Sequence, residues 1–153
     1  MGKLWDRLTG TARPGDGVEA WPREEVRAAL LAVGETGTVY RVRHARPDEK
    51  ADLVTECDLP GMGVRLKSSM RLDADRREVR VLHESWHRHG FGEHECEYGR
   101  GYASAVYVEW RTERGPDGRH RRVKVTFHTR EMTDPIRDTV LGAGRPLRGV
   151  LRL

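Results

Sequence analysis

Cysteine, phenylalanine and lysine are scarce in this 153-residue chain, and it contains no long apolar run. The two cysteines, Cys57 and Cys96, are far apart and form no C-x-x-C pair, which excludes the common zinc fingers and a dithiol redox motif. No segment approaches the roughly 20 apolar residues that span a bilayer as a helix. Residues 1–10 lack the apolar stretch of a secretory leader, so the expectation is a cytoplasmic protein with reduced thiols. Phosphate-cradling loops are missing as well. Gly61-Met62-Gly63 and Gly90-Phe91-Gly92 precede no helical pattern whose N-terminus would face a phosphate. Of 28 basic residues only Lys3, Lys50, Lys67 and Lys124 are lysines. Such a skew often reflects a GC-rich genome rather than selection for guanidinium, so arginine abundance alone does not argue for phosphate recognition, apt as guanidinium is for it.

What is present fits one domain over residues 1–153, long enough to bury a single core. Hydrophobic residues make up 37% and charged residues 34%, a balance that suits a sheet with one solvated face. Charge is unevenly spread. From Arg111 onward there are 11 basic and 5 acidic residues, whereas residues 1–110 hold 17 and 19, so only the C-terminal third is basic.

Leu4, Trp5 and Leu8 recur at helical spacing before Gly10, which predicts a short amphipathic helix at 2–9 whose stripe packs on the protein's own sheet. Residues 11–20, rich in Gly and carrying Pro14, read as a flexible tether. A second helix is expected at 22–33, with Pro22 in the first turn, Glu24 and Glu25 near the positive dipole end, and Val26, Leu30 and Val33 as its apolar stripe. From residue 37 the period becomes two. Leu53, Thr55, Cys57 and Leu59, then Val64, Leu66, Ser68, Met70 and Leu72, then Val79 and Val81 each mark a strand. Val106, Val108 and Trp110 alternate with Tyr107, Glu109 and Arg111, and after the Gly115-Pro116-Asp117-Gly118 turn Val123, Val125 and Phe127 alternate with Arg122 and Lys124. This hairpin is expected to set Glu109 and Arg111 near Arg122 and Lys124 on a shared polar face. A short helix at 135–141, capped by Asp134, precedes a last strand through Leu147 and Leu151. The fold class is therefore α+β: a mostly antiparallel, curved sheet of about six or seven strands, an N-terminal helix and a short helix before the last strand.

Met70-Arg71-Leu72-Asp73 with Glu78-Val79-Arg80, Phe127-His128-Thr129-Arg130-Glu131 with Pro135, and Arg148-Gly149-Val150 resemble stretches of small uncharacterised proteins from GC-rich bacteria. The resemblance implies the same strand order and brings no activity with it.

Two constellations carry chemistry. His83-Glu84-Ser85-Trp86-His87 spells H-E-x-x-H, which on a helix would place two imidazoles on a zinc and a carboxylate on its water. Arg80, Arg88 and His89 flank it, however, and Val79, Val81 and His83 alternate as in a strand, which would set His83 and His87 about 13 Å apart. A looser zinc site could draw on His83, His87, His89, His94 and Cys96 in a Gly-broken loop, against the plainer reading of a solvated polar loop. The second constellation is the basic hairpin, where Arg111, Arg119, Arg121, Arg122 and Lys124 could meet RNA or DNA with Tyr107 stacking. Glu109, Glu113 and Asp117 interleave it, which favours a merely solvated face. The reading reached is a non-enzymatic domain without a cofactor that binds a small apolar ligand or a protein partner, with a zinc-dependent hydrolase and a nucleic-acid-binding protein as alternatives.

Overall fold

The computed structural model of the chain describes residues 2–35, 39–88 and 96–153. Its described elements are α1 (Gly2–Thr9), α2 (Arg23–Val33), β1 (Tyr40–His44), β2 (Leu53–Leu59), β3 (Val64–Asp73), β4 (Glu78–Arg88), β5 (Cys96–Arg100), β6 (Val106–Arg114), β7 (His120–His128), α3 (Arg130–Gly142) and β8 (Leu147–Val150). The class is α+β with a mostly antiparallel sheet. Six strands form it in the order β1-β2-β3-β4-β5, with β8 added to β4, while β6 and β7 form a separate two-stranded ribbon. No described helix is long and apolar enough to cross a membrane.

β4 organises the molecule. One edge pairs with β3 along its whole length, Val64 opposite His87 through Asp73 opposite Glu78. The other edge is shared: Val79 to Leu82 run parallel to β8, and Glu84 to Arg88 run antiparallel to β5. His83 falls between the two ladders, and its carbonyl accepts the N–H of Gly101 at 2.8 Å. The sheet thus changes partner at His83, and the chain after β5 turns away there instead of continuing the ladder.

Side-chain alternation sends the odd-numbered residues of β4 to the helix-covered face. On that face Leu53, Met70, Leu72, Val79 and Val81 pack against Val26 and Leu30 of α2 and Ile136 and Val140 of α3. A second cluster joins Tyr40, Cys57, Val64 and Leu66 to Phe127 of β7 and Met132 of α3. Between the clusters runs a polar row, Thr55 beside Ser68 beside His83 in register across β2, β3 and β4. The opposite face is charged. There Glu49, almost wholly buried, accepts both arms of Arg43 at 2.7 and 2.9 Å and pairs with Lys67 at 2.7 Å.

Three expectations are corrected. The stripe Leu4, Trp5 and Leu8 does not pack on the sheet but is exposed, because α1 docks through its carboxyl end. A Cβ on Gly149 would lie 1.7 Å from the Thr9 carbonyl oxygen, and the Gly149 N–H donates to Thr11 Oγ1. From there the 11–20 segment is held by a bridge between Ala12 and Leu147. The helix expected at 135–141 begins at Arg130, so Pro135 lies inside it. Its start is set earlier, where the Glu131 carboxylate accepts the His128 N–H at 2.6 Å and the Thr129 carbonyl accepts the N–H groups of Met132 and Thr133. In the ribbon, Glu109 and Arg111 stand opposite Val125 and Val123, whereas Lys124 stands opposite Trp110. The turn sets this register, and it reverses the expected faces: Tyr107, Glu109 and Phe127 turn toward the sheet, while Val106, Val108 and Trp110 turn to solvent.

Candidate functional site

The polar row ends in a cavity of about 220 Å³. Its floor is the β3–β4 surface, one wall is the first turn of α3, and its roof is the segment 101–105 leading into Tyr107. Thr129 clasps that roof. Its hydroxyl accepts the Ala105 N–H at 3.0 Å and donates to the Ala103 carbonyl at 3.2 Å, while its own N–H donates to the Ala105 carbonyl. Held at Gly101 by His83 and at Ala105 by Thr129, the roof spans the gap left where β8 gives way to β5.

Two imidazoles face this space, each bound to a hydroxyl. His83 Nδ1 and Ser68 Oγ are hydrogen-bonded at 2.7 Å, and the ring meets Tyr102 edge-on with centroids 5.7 Å apart. Burial pushes the His83 pKa down to about 4, because a charged imidazolium would lose its hydration there. The ring is therefore neutral at pH 7. Nδ1 is engaged with Ser68, and among the described residues Nε2 has no hydrogen-bond partner. His87 Nε2 and the Tyr107 hydroxyl are hydrogen-bonded at 2.8 Å, and burial raises the phenol's pKa. Leu66, Met132, Ala103 and Ala105 supply apolar wall. His83, Tyr102 and Thr133 also line a second hollow of about 240 Å³ toward α1, so these side chains partition the two spaces.

The H-E-x-x-H segment lies wholly on β4. His83 and His87 reach the cavity, but Glu84, one residue out of phase, falls on the opposite face, where the Tyr98 hydroxyl donates to its carboxylate. Cys96 stands opposite Arg88 on that same outer face, exposed and away from the imidazoles. His89 and His94 lie outside the described residues. Among the described residues no three His, Cys, Asp or Glu side chains are grouped to hold a metal ion. The basic residues of the hairpin divide between two faces. Arg111 lies on the sheet-side face with Arg121 and pairs with Glu109 at 2.9 Å, while Arg122 and Lys124 flank Trp110 on the other. Arg119 sits in the turn, its N–H held by Asp117.

Sequence reasoning passed over Ser68, Tyr102 and Thr129, and took Tyr107, which turns inward to His87, for a stacking residue of the hairpin. Only Ser68 left a signal, as a hydroxyl at the centre of the otherwise apolar row Val64, Leu66, Met70, Leu72. No family model, curated protein or solved structure matches the chain, so its chemistry is read from its own geometry.

Proposed function

We propose that the protein is a small cytoplasmic binding domain whose site is the cavity beneath residues 101–105. The observation that carries this reading is the neutral His83 imidazole on the cavity wall, fixed by Ser68 through one nitrogen and, among the described residues, unpartnered through the other. A hollow whose accessible wall is mostly apolar, with a few convergent polar groups, is the usual form of a small-molecule site. At about 220 Å³ it falls below the ~300 Å³ lower end of drug-sized pockets. The ligand class is accordingly a compact apolar molecule bearing one neutral hydrogen-bonding group. Among the described residues the buried His83 imidazole is tied to a hydroxyl rather than to a carboxylate, which favours binding over the polarised base of a nucleophilic enzyme. The cytoplasmic part of the reading rests on the thiols: Cys57 and Cys96 are free and three strands apart in the sheet, about 14 Å at ~4.8 Å per strand.

The test is an NMR titration with phenol and with cyclohexanol as probes. Saturable shifts of the His83 and Tyr107 signals are expected, and they should vanish in Ala105→Leu, which fills the cavity from its roof. No saturable shift with either probe, or unchanged shifts in the filled variant, would refute the site.

A further inference from the structure

The ribbon carries a second surface, independent of the cavity. In β6 and β7 the even-numbered residues share one face: Val106, Val108, Trp110, Thr112 and Arg114 on one strand, and His120, Arg122, Lys124, Thr126 and His128 on the other. Every one of these is exposed, and none is acidic. The two carboxylates of the strands, Glu109 and Glu113, point to the opposite face, where Glu109 is held by Arg111. The acids of the turn and of the residues just after β7 are engaged with backbone, Asp117 with the Arg119 N–H in the turn and Glu131 with the His128 N–H at the base. Acidic and basic residues that interleave along the sequence are therefore separated in space by the alternation of the strand.

At the centre of this face Trp110 is 55% exposed. The Arg122 guanidinium lies over its ring at 4.9 Å and the Lys124 ammonium at 6.0 Å from the centroid, so cation–π attraction gathers both cations at the indole. Val106 and Val108 continue the apolar stripe toward the base, and Arg114 adds a third cation toward the tip. A purely apolar partner would have to strip water from three cations, and a purely acidic one would leave the indole and the valines unused. Single-stranded nucleic acid presents an unpaired π-face and a negative charge in alternation along its length, which is what this face complements. We propose that the outer face of the β6–β7 ribbon binds single-stranded nucleic acid, with Trp110 stacking on a base and Arg114, Arg122 and Lys124 meeting phosphates.

Fluorescence anisotropy of the whole chain with labelled single strands of about fifteen nucleotides, DNA and RNA, tests this against a duplex of the same length. With three phosphate contacts the log–log salt slope should be about −2, so affinity should fall roughly 20-fold between about 50 and about 200 mM salt. Trp110→Ala should weaken binding at least about five-fold, the lower end for loss of one stacked base. The double variant Arg122→Glu/Lys124→Glu should abolish saturable binding. Arg111→Glu/Arg121→Glu carries the same change in net charge on the opposite face and should retain binding within about three-fold. Circular dichroism checks that each variant is folded, which exposed positions permit. The proposal is overturned if the single strand gives no saturable signal, if the opposite-face variant loses as much as the outer-face one, or if the duplex binds more tightly than the single strand.

Discussion

His83 makes the stability of this protein depend on pH between about 4 and about 6.5. In the unfolded chain its imidazole has a pKa of about 6.5, whereas burial lowers it to about 4 in the fold. Between those values the unfolded chain binds the extra proton, so acidification favours unfolding. The contribution is fully present above pH 6.5 and is lost as the pH falls through 4. A shift of about 2.5 units corresponds to about 3.4 kcal/mol in full, of which about 1.4 would be lost by pH 5.5 and about 3 by pH 4. Because the ring retains some solvent contact, about 2–3 kcal/mol is the expected loss between pH 7 and pH 4. The perturbation is His83→Asn, which can still bond to Ser68 but cannot titrate. Urea unfolding of both proteins at pH 7, 5.5 and 4 isolates the term, because carboxylates such as Glu49 and Glu56 contribute equally to each. The wild type should lose about 2–3 kcal/mol more than the variant over this range, half of it already by pH 5.5. Parallel losses in the two proteins would refute the reasoning, and so would a His83 titration near 6.5 observed directly by NMR.

On the other face, Glu49→Gln should cost about 2–3 kcal/mol, somewhat less than the ~3–5 for breaking a fully buried pair, because Arg43 keeps Glu56 and Lys67 is 17% exposed. Arg43 holds the Glu49 carboxyl well below the usual range, so this stabilisation is complete above the unfolded value of about 4.3 and is lost as the pH falls below it. Urea melts at pH 7 and pH 3 check it, and a difference under about 0.5 kcal/mol at pH 7 would contradict the network's role. Thr55 is fully buried and among the described residues its hydroxyl has no hydrogen-bond partner. Thr55→Val should therefore raise stability by about 1 kcal/mol, the low end of the cost of a buried unsatisfied group, visible as a higher Tm. A lower Tm would mean that the hydroxyl is engaged.

The elements themselves were legible in the sequence wherever the apolar period was clean. Val26 and Leu30 at helical spacing become the buried stripe of α2, and the alternations 53–59 and 64–72 become β2 and β3 with the expected residues inward. Reading H-E-x-x-H as a strand also followed from local pattern, since Val79 and Val81 lead into His83 with period two. Where the pattern was ambiguous, the reading failed. In β6 both faces carry apolar or aromatic residues, so alternation alone could not say whether Tyr107 or Trp110 faces inward. At α3 Pro135 is a strong local signal for a helix start, but the Thr129 clasp and burial of Met132 extend the helix back to Arg130.

By itself the sequence determined the class of fold, the strands with a clean period of two and the pairing of the Gly115–Gly118 turn with a hairpin, because these depend on periodicity and turn chemistry within about ten residues, whereas β5 lies where a Gly-broken loop was expected. The tertiary structure alone decided what lies together. Ser68 meets His83 across 15 positions, Tyr107 meets His87 across 20, and Thr129 reaches back to Ala103 and Ala105. It also decided that Glu109 and Glu113 leave the face that Arg122 and Lys124 occupy. Strand register and the change of partner at His83 set all of these, and both are settled by burial across the whole sheet rather than by any local run of residues.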